Sequence, residues 1–298
     1  MFFNTLFLSA FFSCFGVMLQ ASSLIQIDIG GMWTAVTVNG LVPVIQGDKA
    51  GSLPYTPGWG VDFSLSGQLP SEMCLGVTAL LSKAHQNQSY AGNHLLSTWD
   101  VSPLSYIQTA DAHYRLHLGI LGCQLDKAIE CTPSFVFRPS LGIVYASIRQ
   151  KYFFSASSGA EQVDWLNKNK YWGIGPEGGA EIEWRCFKRF SIKMYGGIAC
   201  LYGLFYLHEE KKLQSESLTA VNFLDSFRLG TQMVKSALSL CGYLDKSQRV
   251  SIELGCEEML FFAQNQLRRF TSASSGISIG NQGDISLLAI RGAIQCSF

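Results

Sequence analysis

The sequence predicts an all-β protein: a transmembrane antiparallel β-barrel of about twelve strands, within ten to fourteen, behind an N-terminal signal peptide. Three observations predict it: an uncharged apolar leader, a period-two alternation of apolar and polar residues that returns along the whole chain, and a final amphipathic strand ending on Phe298. Composition agrees. Charged residues are 15% of 298, against roughly 25% in soluble domains, while Gly numbers 29 and aromatics reach 12%. Lys plus Arg and Asp plus Glu both number 22, so no global field attracts nucleic acid or an anionic surface.

Taking the elements in order, residues 1–23 read as the signal peptide and 24–298 as the barrel. Residues 1–27 carry no ionisable side chain, and Leu6 to Leu19 form an apolar run. Ala21, Ser22 and Ser23 offer cleavage after Ala21 or Ser23; an uncleaved helical anchor is the alternative. Beyond the leader, only residues 29–47 run far without charge, and Gly30, Gly31, Gly40, Pro43 and Gly47 break any spanning helix there. The choice left is an exported soluble domain or a membrane barrel.

Periodicity decides it. Ile25, Ile27, Ile29, Trp33 and Ala35 alternate with Gln26, Asp28, Gly30 and Thr34. At 114–120, Tyr114, Leu116, Leu118 and Ile120 oppose Arg115, His117 and Gly119. Phe135, Phe137, Leu141, Ile143 and Tyr145 oppose Arg138, Ser140 and Gly142, and Ala180, Ile182 and Trp184 oppose Glu181, Glu183 and Arg185. Phe190, Ile192, Met194 and Ile198 oppose Ser191, Lys193 and Gly197; Val250, Ile252 and Leu254 oppose Ser251, Glu253 and Gly255. An apolar face opposite a polar or glycine face, over segments of about ten residues, is the pattern of a barrel with lipid outside and a polar lumen. A soluble sandwich needs more Lys and Glu on its outer face than 15% charge supplies. Trp33, Tyr145, Trp172, Trp184 and Tyr206 suit interfacial aromatic girdles. The last strand alternates Leu288, Ile290, Gly292, Ile294, Cys296 and Phe298 against Arg291, Ala293, Gln295 and Ser297. A terminal aromatic of this kind is read as the signal for the barrel-assembly machinery. The polar stretches 86–100, 156–170, 209–216 and 268–283 are expected to be loops.

If polar parity faces inward, the pore-lining candidates are Asp28, Arg115, His117, Arg138, Glu181, Glu183, Arg185, Lys193, Arg228, Glu253 and Arg291. Their charges nearly balance, which predicts weak ion selectivity.

More specific resemblances lie mid-chain. Phe137-Arg138-Pro139-Ser140-Leu141-Gly142, then Ser147-Ile148-Arg149-Gln150-Lys151-Tyr152, and Tyr171-Trp172-Gly173-Ile174-Gly175-Pro176-Glu177-Gly178-Gly179 resemble the chlamydial-type major outer membrane protein and the legionella-type pore-forming barrels. The alternation through Trp184 and Leu201-Tyr202-Gly203-Leu204-Phe205 is similar too, and the resemblance covers about residues 55–298 in segment order. Where such relatives commonly carry Arg after Gly-Ile-Gly-Pro, this chain has Glu177. The resemblance implies a porin-like pore for small solutes or ions in the outer membrane of a Gram-negative bacterium. The alternatives are a closed structural or adhesive barrel, or a barrel hydrolase.

Gly173, Gly175 and Gly178 also satisfy G-x-G-x-x-G. A dinucleotide cradle needs a hydrophobic strand before and a helix after, whereas here Asn167-Lys168-Asn169-Lys170 precedes, Pro176 interrupts and a strand follows. Glycines in a bending, closely packed barrel wall are the better reading. Nine cysteines occur without any C-x-x-C pair, which argues against zinc. Cys123 and Cys131 flank a turn and are the candidate intrachain disulfide of an exported chain; the resemblance adds possible disulfide links to other envelope proteins. With no G-x-S-x-G or H-E-x-x-H around the five histidines, no catalytic set is assigned and no enzyme activity or cofactor is expected. Expected partners are outer-membrane lipid, the barrel-assembly machinery and a second copy or disulfide-linked envelope proteins, with no nucleic acid.

Overall fold

The computed structural model describes residues 24–39, 44–46, 49–51, 57–69, 72–97, 99, 101, 104, 106–159, 161–214, 218–245, 247, 249–266, 268–270, 278–280 and 283–298. The signal peptide expected at 1–23 lies outside the described residues. Ten long strands follow: β1 Ile25–Val38, β2 Pro57–Gln68, β3 Met73–Ser97, β4 Ile107–Lys127, β5 Phe135–Ser158, β6 Glu161–Phe187, β7 Phe190–Leu213, β8 Leu218–Tyr243, β9 Val250–Asn265 and β10 Gly283–Ser297. Each pairs antiparallel with the next and β10 returns to β1, closing the sheet. Ten is the lower edge of the sequence expectation, because strands of up to 27 residues use more chain apiece than anticipated.

Closure pairs each long strand on both sides through the body of the wall, and residues 218–232 at the loop end of β8 pair with β7 alone. At the seam, the Ile25 amide donates to the Phe298 carbonyl at 3.2 Å and the Phe298 amide to the Ile25 carbonyl at 2.8 Å. The phenylalanine ring is exposed on the outer wall. The end holding both termini has the short connections, among them Lys188–Arg189; opposite lie the longer ones, 39–56, 98–106 and 266–282. The short strands Val44–Gln46 and Lys49–Gly51 pair with one another beside the loop-end tip of β3, and Arg268–Phe270 pairs with Ser278–Gly280. One loop-end hairpin is tight: Gly159 takes φ of 62°, a left-handed conformation that glycine adopts without penalty.

Several stretches expected to be loops are strand. Residues 86–97, 161–170 and 209–213 continue β3, β6 and β7, because closely spaced neighbours satisfy their backbone groups regardless of side-chain polarity.

The outer wall is apolar at mid-height. Ile29, Phe63, Leu141, Ile143, Ile198, Leu254, Ile290 and Ile294 are exposed there, where lipid covers them. Exposed Trp33, Trp59 and Tyr206 mark its loop end, and Phe135, Trp184, Phe187 and Phe190 its terminal end. Phe135 stacks on Trp184 with centroids 5.9 Å apart.

Glycines of the G-x-G-x-x-G run serve the wall. A side chain at Gly173 would occupy the place of the Tyr171 phenol, and one at Gly175 would strike the Cys200 carbonyl of β7. The tyrosine ring lies flat over glycines of its own and the next strand, the arrangement that rescues glycine in a sheet.

Candidate functional site

The interior of the barrel is the candidate site, and it has two tiers. In the terminal-end half, inward positions carry charge. Arg291 on β10 reaches Asp28 on β1 at 2.8 Å, Asp62 on β2 at 2.6 Å and Glu253 on β9 at 2.9 Å. Glu253 also holds Lys193 of β7 at 3.3 Å. Arg138 of β5 bonds Glu181 at 3.0 Å and Glu183 at 3.2 Å, both on β6, and Tyr243 donates to Glu183 at 3.2 Å. Higher up, Lys235 lies 2.9 Å from Glu177, which is 1% exposed. Glu177, the residue standing where relatives commonly have Arg, is thereby the partner of a lysine two strands away.

These groups cannot be left single. Removing one partner of a buried pair costs about 3–5 kcal/mol, because the other charge stays desolvated. Arg291 carries three carboxylates, so its planar fork of donors holds together four strands. Two cavities adjoin the network. One of about 390 Å³ is bordered by Gln26, Asp126, Arg138, Glu181 and Tyr195; one of about 240 Å³ by Asp62, Lys235, Glu253, Glu257 and Arg291. Polar walls and this size suit ordered water.

In the loop-end half, the inward positions are mainly apolar, with Gln86, Gln150, Asn167, Asn169, Glu209 and Lys211 buried among them. Tyr114, Leu116, Ile148, Tyr152, Phe154, Trp165, Phe205, Met233, Phe261 and Leu287 are all at most 2% exposed and belong to one contiguous cluster. Phe205 contacts Tyr171 at 4.5 Å and Phe227 at 5.2 Å between centroids. The 98–106 connection and the irregular end of β9 cap the cluster. Trp99, in the 98–106 connection, is 4% exposed with centroids 5.5 Å from Tyr152 and 6.0 Å from Trp165, and Lys211 Nζ sits 5.5 Å over Trp165 from the other side. At the end of β9 the chain folds into the lumen: Ala263 takes φ of 52°, a left-handed state costing roughly 1–2 kcal/mol outside glycine. Its amide donates to Asp284 Oδ1 at 2.9 Å. The Gln264 carbonyl then accepts from Gln150 and Asn169, both at 2.8 Å, while its side chain donates to Thr231 at 3.0 Å. Among the described residues, this strap and Trp99 close the lumen above the charged tier.

Of the sequence candidates, Asp28, Arg138, Glu181, Glu183, Lys193, Glu253 and Arg291 face the interior. Arg185 is at the terminal rim, 3.6 Å from Glu130 and 3.8 Å from Glu183. Arg115, His117 and Arg228 are corrections: all three are exposed on the outer wall. In β4 the apolar parity, Tyr114 to Ile120, is the inward one, because those side chains pack into the apolar cluster and the outside is where charged groups meet water and headgroups. In β8, Phe227 and Leu229 pack inward on the same cluster, which turns Arg228 out. Cys123 and Cys131 are a second correction, since no disulfide joins them: Cys123 pairs with Val77 and Ile143 in the wall and Cys131 is exposed in the 129–132 turn strand. Trp99, Gln264, Glu177 and Lys235 were not singled out as lumen residues. Only apolar residues on both parities at 143–154 gave a sequence sign of the dry tier.

A closed antiparallel barrel with an apolar belt and two aromatic girdles defines an outer-membrane β-barrel. The family described as Legionella pneumophila major outer membrane protein precursor matches residues 57–287, and the chain belongs to that family of Gram-negative outer-membrane proteins. No curated protein matches it. Among solved structures, the outer membrane protease OmpT of Escherichia coli superposes with a TM-score of 0.54 at 8% identity, covering 93% of this chain and 97% of that one. At that identity the likeness carries the fold and no activity. The translocator domain of the autotransporter NalP from Neisseria meningitidis gives 0.44 at 11% identity over 95% and 91%, and the Ralstonia pickettii toluene transporter TbuX gives 0.35 at 8% over 93% and 89%.

Proposed function

We propose that this protein is a closed outer-membrane barrel with a structural or surface role, built on the same plan as a narrow porin but without a standing aqueous passage. The observation that carries this reading is the outer tier, the loop-end half of the lumen, where Tyr114, Tyr152, Phe154, Trp165, Phe205 and Phe261 are each at most 2% exposed in one cluster. A hydrated channel cannot run through close-packed aromatics without displacing them, and small barrels are routinely filled by side chains in this way. The paired charges beneath stabilise the wall, each group satisfying another. No proteolytic or hydrolytic role is proposed, since likeness to a protease fold supplies no catalytic set.

A second reading, a gated pore, is favoured by one specific observation. Trp99 lies in the 98–106 connection and Gln264 in the irregular end of β9, where the register shifts between Phe261 and Asn265, so both caps can move without breaking the barrel. Liposome swelling separates the two. Proteoliposomes of the folded mature chain are expected to stay intact to swelling in arabinose, and the variant Trp99→Ala/Gln264→Gly to stay so as well. Swelling by the variant alone supports the gated reading; swelling by the natural sequence overturns the closed one.

A further inference from the structure

Outside the barrel, toward the loop end, two rows of basic side chains, lysines and arginines interleaved with histidines, cross neighbouring strands. In the first, Lys83 is the register partner of His117, His117 of Arg149 and Arg149 of Lys170. One pleat closer to the loops run His85, Arg115, Lys151, Lys168 and His208. Neighbouring strands lie about 5 Å apart, so Arg149 stands opposite Lys170, and Lys151 between Arg115 and Lys168, like charges that by themselves destabilise a sheet. Neither row contains a carboxylate, and none of these side chains is in an ion pair with one among the described residues. Trp59 begins the first row, with Lys83 Nζ 5.6 Å over its ring, and Tyr206 ends it. The cations therefore sit at the aromatic girdle, where acyl chains give way to headgroups.

Directly beneath the first row the wall is hollow. A groove of about 630 Å³ is bordered by Lys83, His117 and Arg149 at its loop-end lip and by Leu81, Leu121 and Tyr145 below. Gly119 keeps it open: a Cβ there would meet only Leu81 Cδ2 at 3.5 Å and the Ser147 carbonyl at 4.0 Å. Cations at the lip, an apolar trough below and a position at the membrane boundary match one chemistry, an amphiphile with an anionic head and a hydrocarbon tail.

We propose that this groove binds a phosphorylated lipid of the outer leaflet, its phosphate on Lys83, His117 and Arg149 and an acyl chain over Gly119. The phosphate relieves the repulsion within the row, and the tail fills a gap in the apolar belt. The longer connections at this end place it on the outer face of the membrane.

The test is native mass spectrometry of the folded mature chain in detergent, titrated with dioctanoyl phosphatidic acid, with inorganic phosphate, and with dioctanoylglycerol. Heat-modifiable gel migration reports that each variant has folded. Phosphatidic acid is expected to bind more tightly than either half alone. Lys83→Gln/His117→Gln/Arg149→Gln is expected to weaken it by at least roughly tenfold, from about one headgroup contact's worth of attraction lost per cation. Gly119→Leu is expected to weaken phosphatidic acid while leaving inorganic phosphate unchanged. Retained lipid affinity in the triple variant overturns the proposal. Inorganic phosphate binding as well as the lipid, with Gly119→Leu without effect, overturns it too and leaves a free-anion site.

Discussion

The two halves of the lumen solve one problem with opposite chemistry. Toward the termini, inward positions of β1, β2, β7, β9 and β10 carry charge and are held by Arg291, Lys193 and their carboxylates; toward the loops, four of these strands, β1, β7, β9 and β10, present Val36, Phe205, Phe261 and Leu287, fully buried. The charged tier gains specificity from directed bonds and depends on every partner being present. The apolar tier gains free energy from burial and close packing and depends on volume. Mutations should therefore fail differently in each half, and the difference can be broken or sharpened experimentally.

The largest effect is expected at Arg291. Arg291→Ala leaves Asp28, Asp62 and Glu253 facing one another without their shared cation, which should cost about 3–5 kcal/mol in urea unfolding from vesicles. Replacing these four residues together with Lys193, which shares Glu253, by apolar ones of similar volume should recover most of that loss. Failure to recover would mean the tier needs its charges for something beyond stability.

Trp165→Ala, in the other tier, opens a cavity beneath Trp99 and Lys211 and should cost about 3 kcal/mol or more. Here a refilling Trp165→Phe should restore most of the stability, and added salt should not alter the loss. Equal salt dependence in the Arg291 and Trp165 variants would erase the distinction between the tiers.

Glu177→Gln is smaller. It keeps the shape and the hydrogen-bonding capacity toward Lys235 and Tyr195 while removing charge, for an expected loss of about 1–3 kcal/mol. The smallest effect lies in the exposed turn between β8 and β9. There the Ser247 hydroxyl and the Val250 amide, at 3.0 Å, hold Asp245 down to about 2 from its ordinary 3.8. A depressed carboxyl contributes stability that is present above its unfolded value and lost as pH falls through the folded one. Asp245→Asn should thus lower the unfolding midpoint slightly at neutral pH, and the gap to the natural sequence should close between pH 4 and pH 2.

Much of the wall was legible in the sequence. The outward run Phe190, Ile192, Met194, Ile198 and the inward run Lys193, Glu253 and Arg291 follow from period two alone, because lipid on one side and ion pairs on the other give each strand a clear polarity. The outer tier was not legible for the same reason. In β4, Tyr114 to Ile120 are inward and Arg115 and His117 outward, an inversion that arises when the lumen is drier than the headgroup region facing it. Alternation reports which faces differ; it does not report which face is lipid. Strand length was hidden as well, since Asn167, Asn169 and Gln150 look like loop residues but are buried within the wall. Trp99 and Gln264 enter the lumen through tertiary packing that no local pattern encodes.

The central claim is that the outer tier closes the barrel, and single-channel recording in a planar bilayer tests it most directly. Protein shown to be folded by heat-modifiable migration is predicted to insert and remain electrically silent across the voltage range in which porins conduct. Discrete, reproducible conductance steps from the natural sequence would contradict the account.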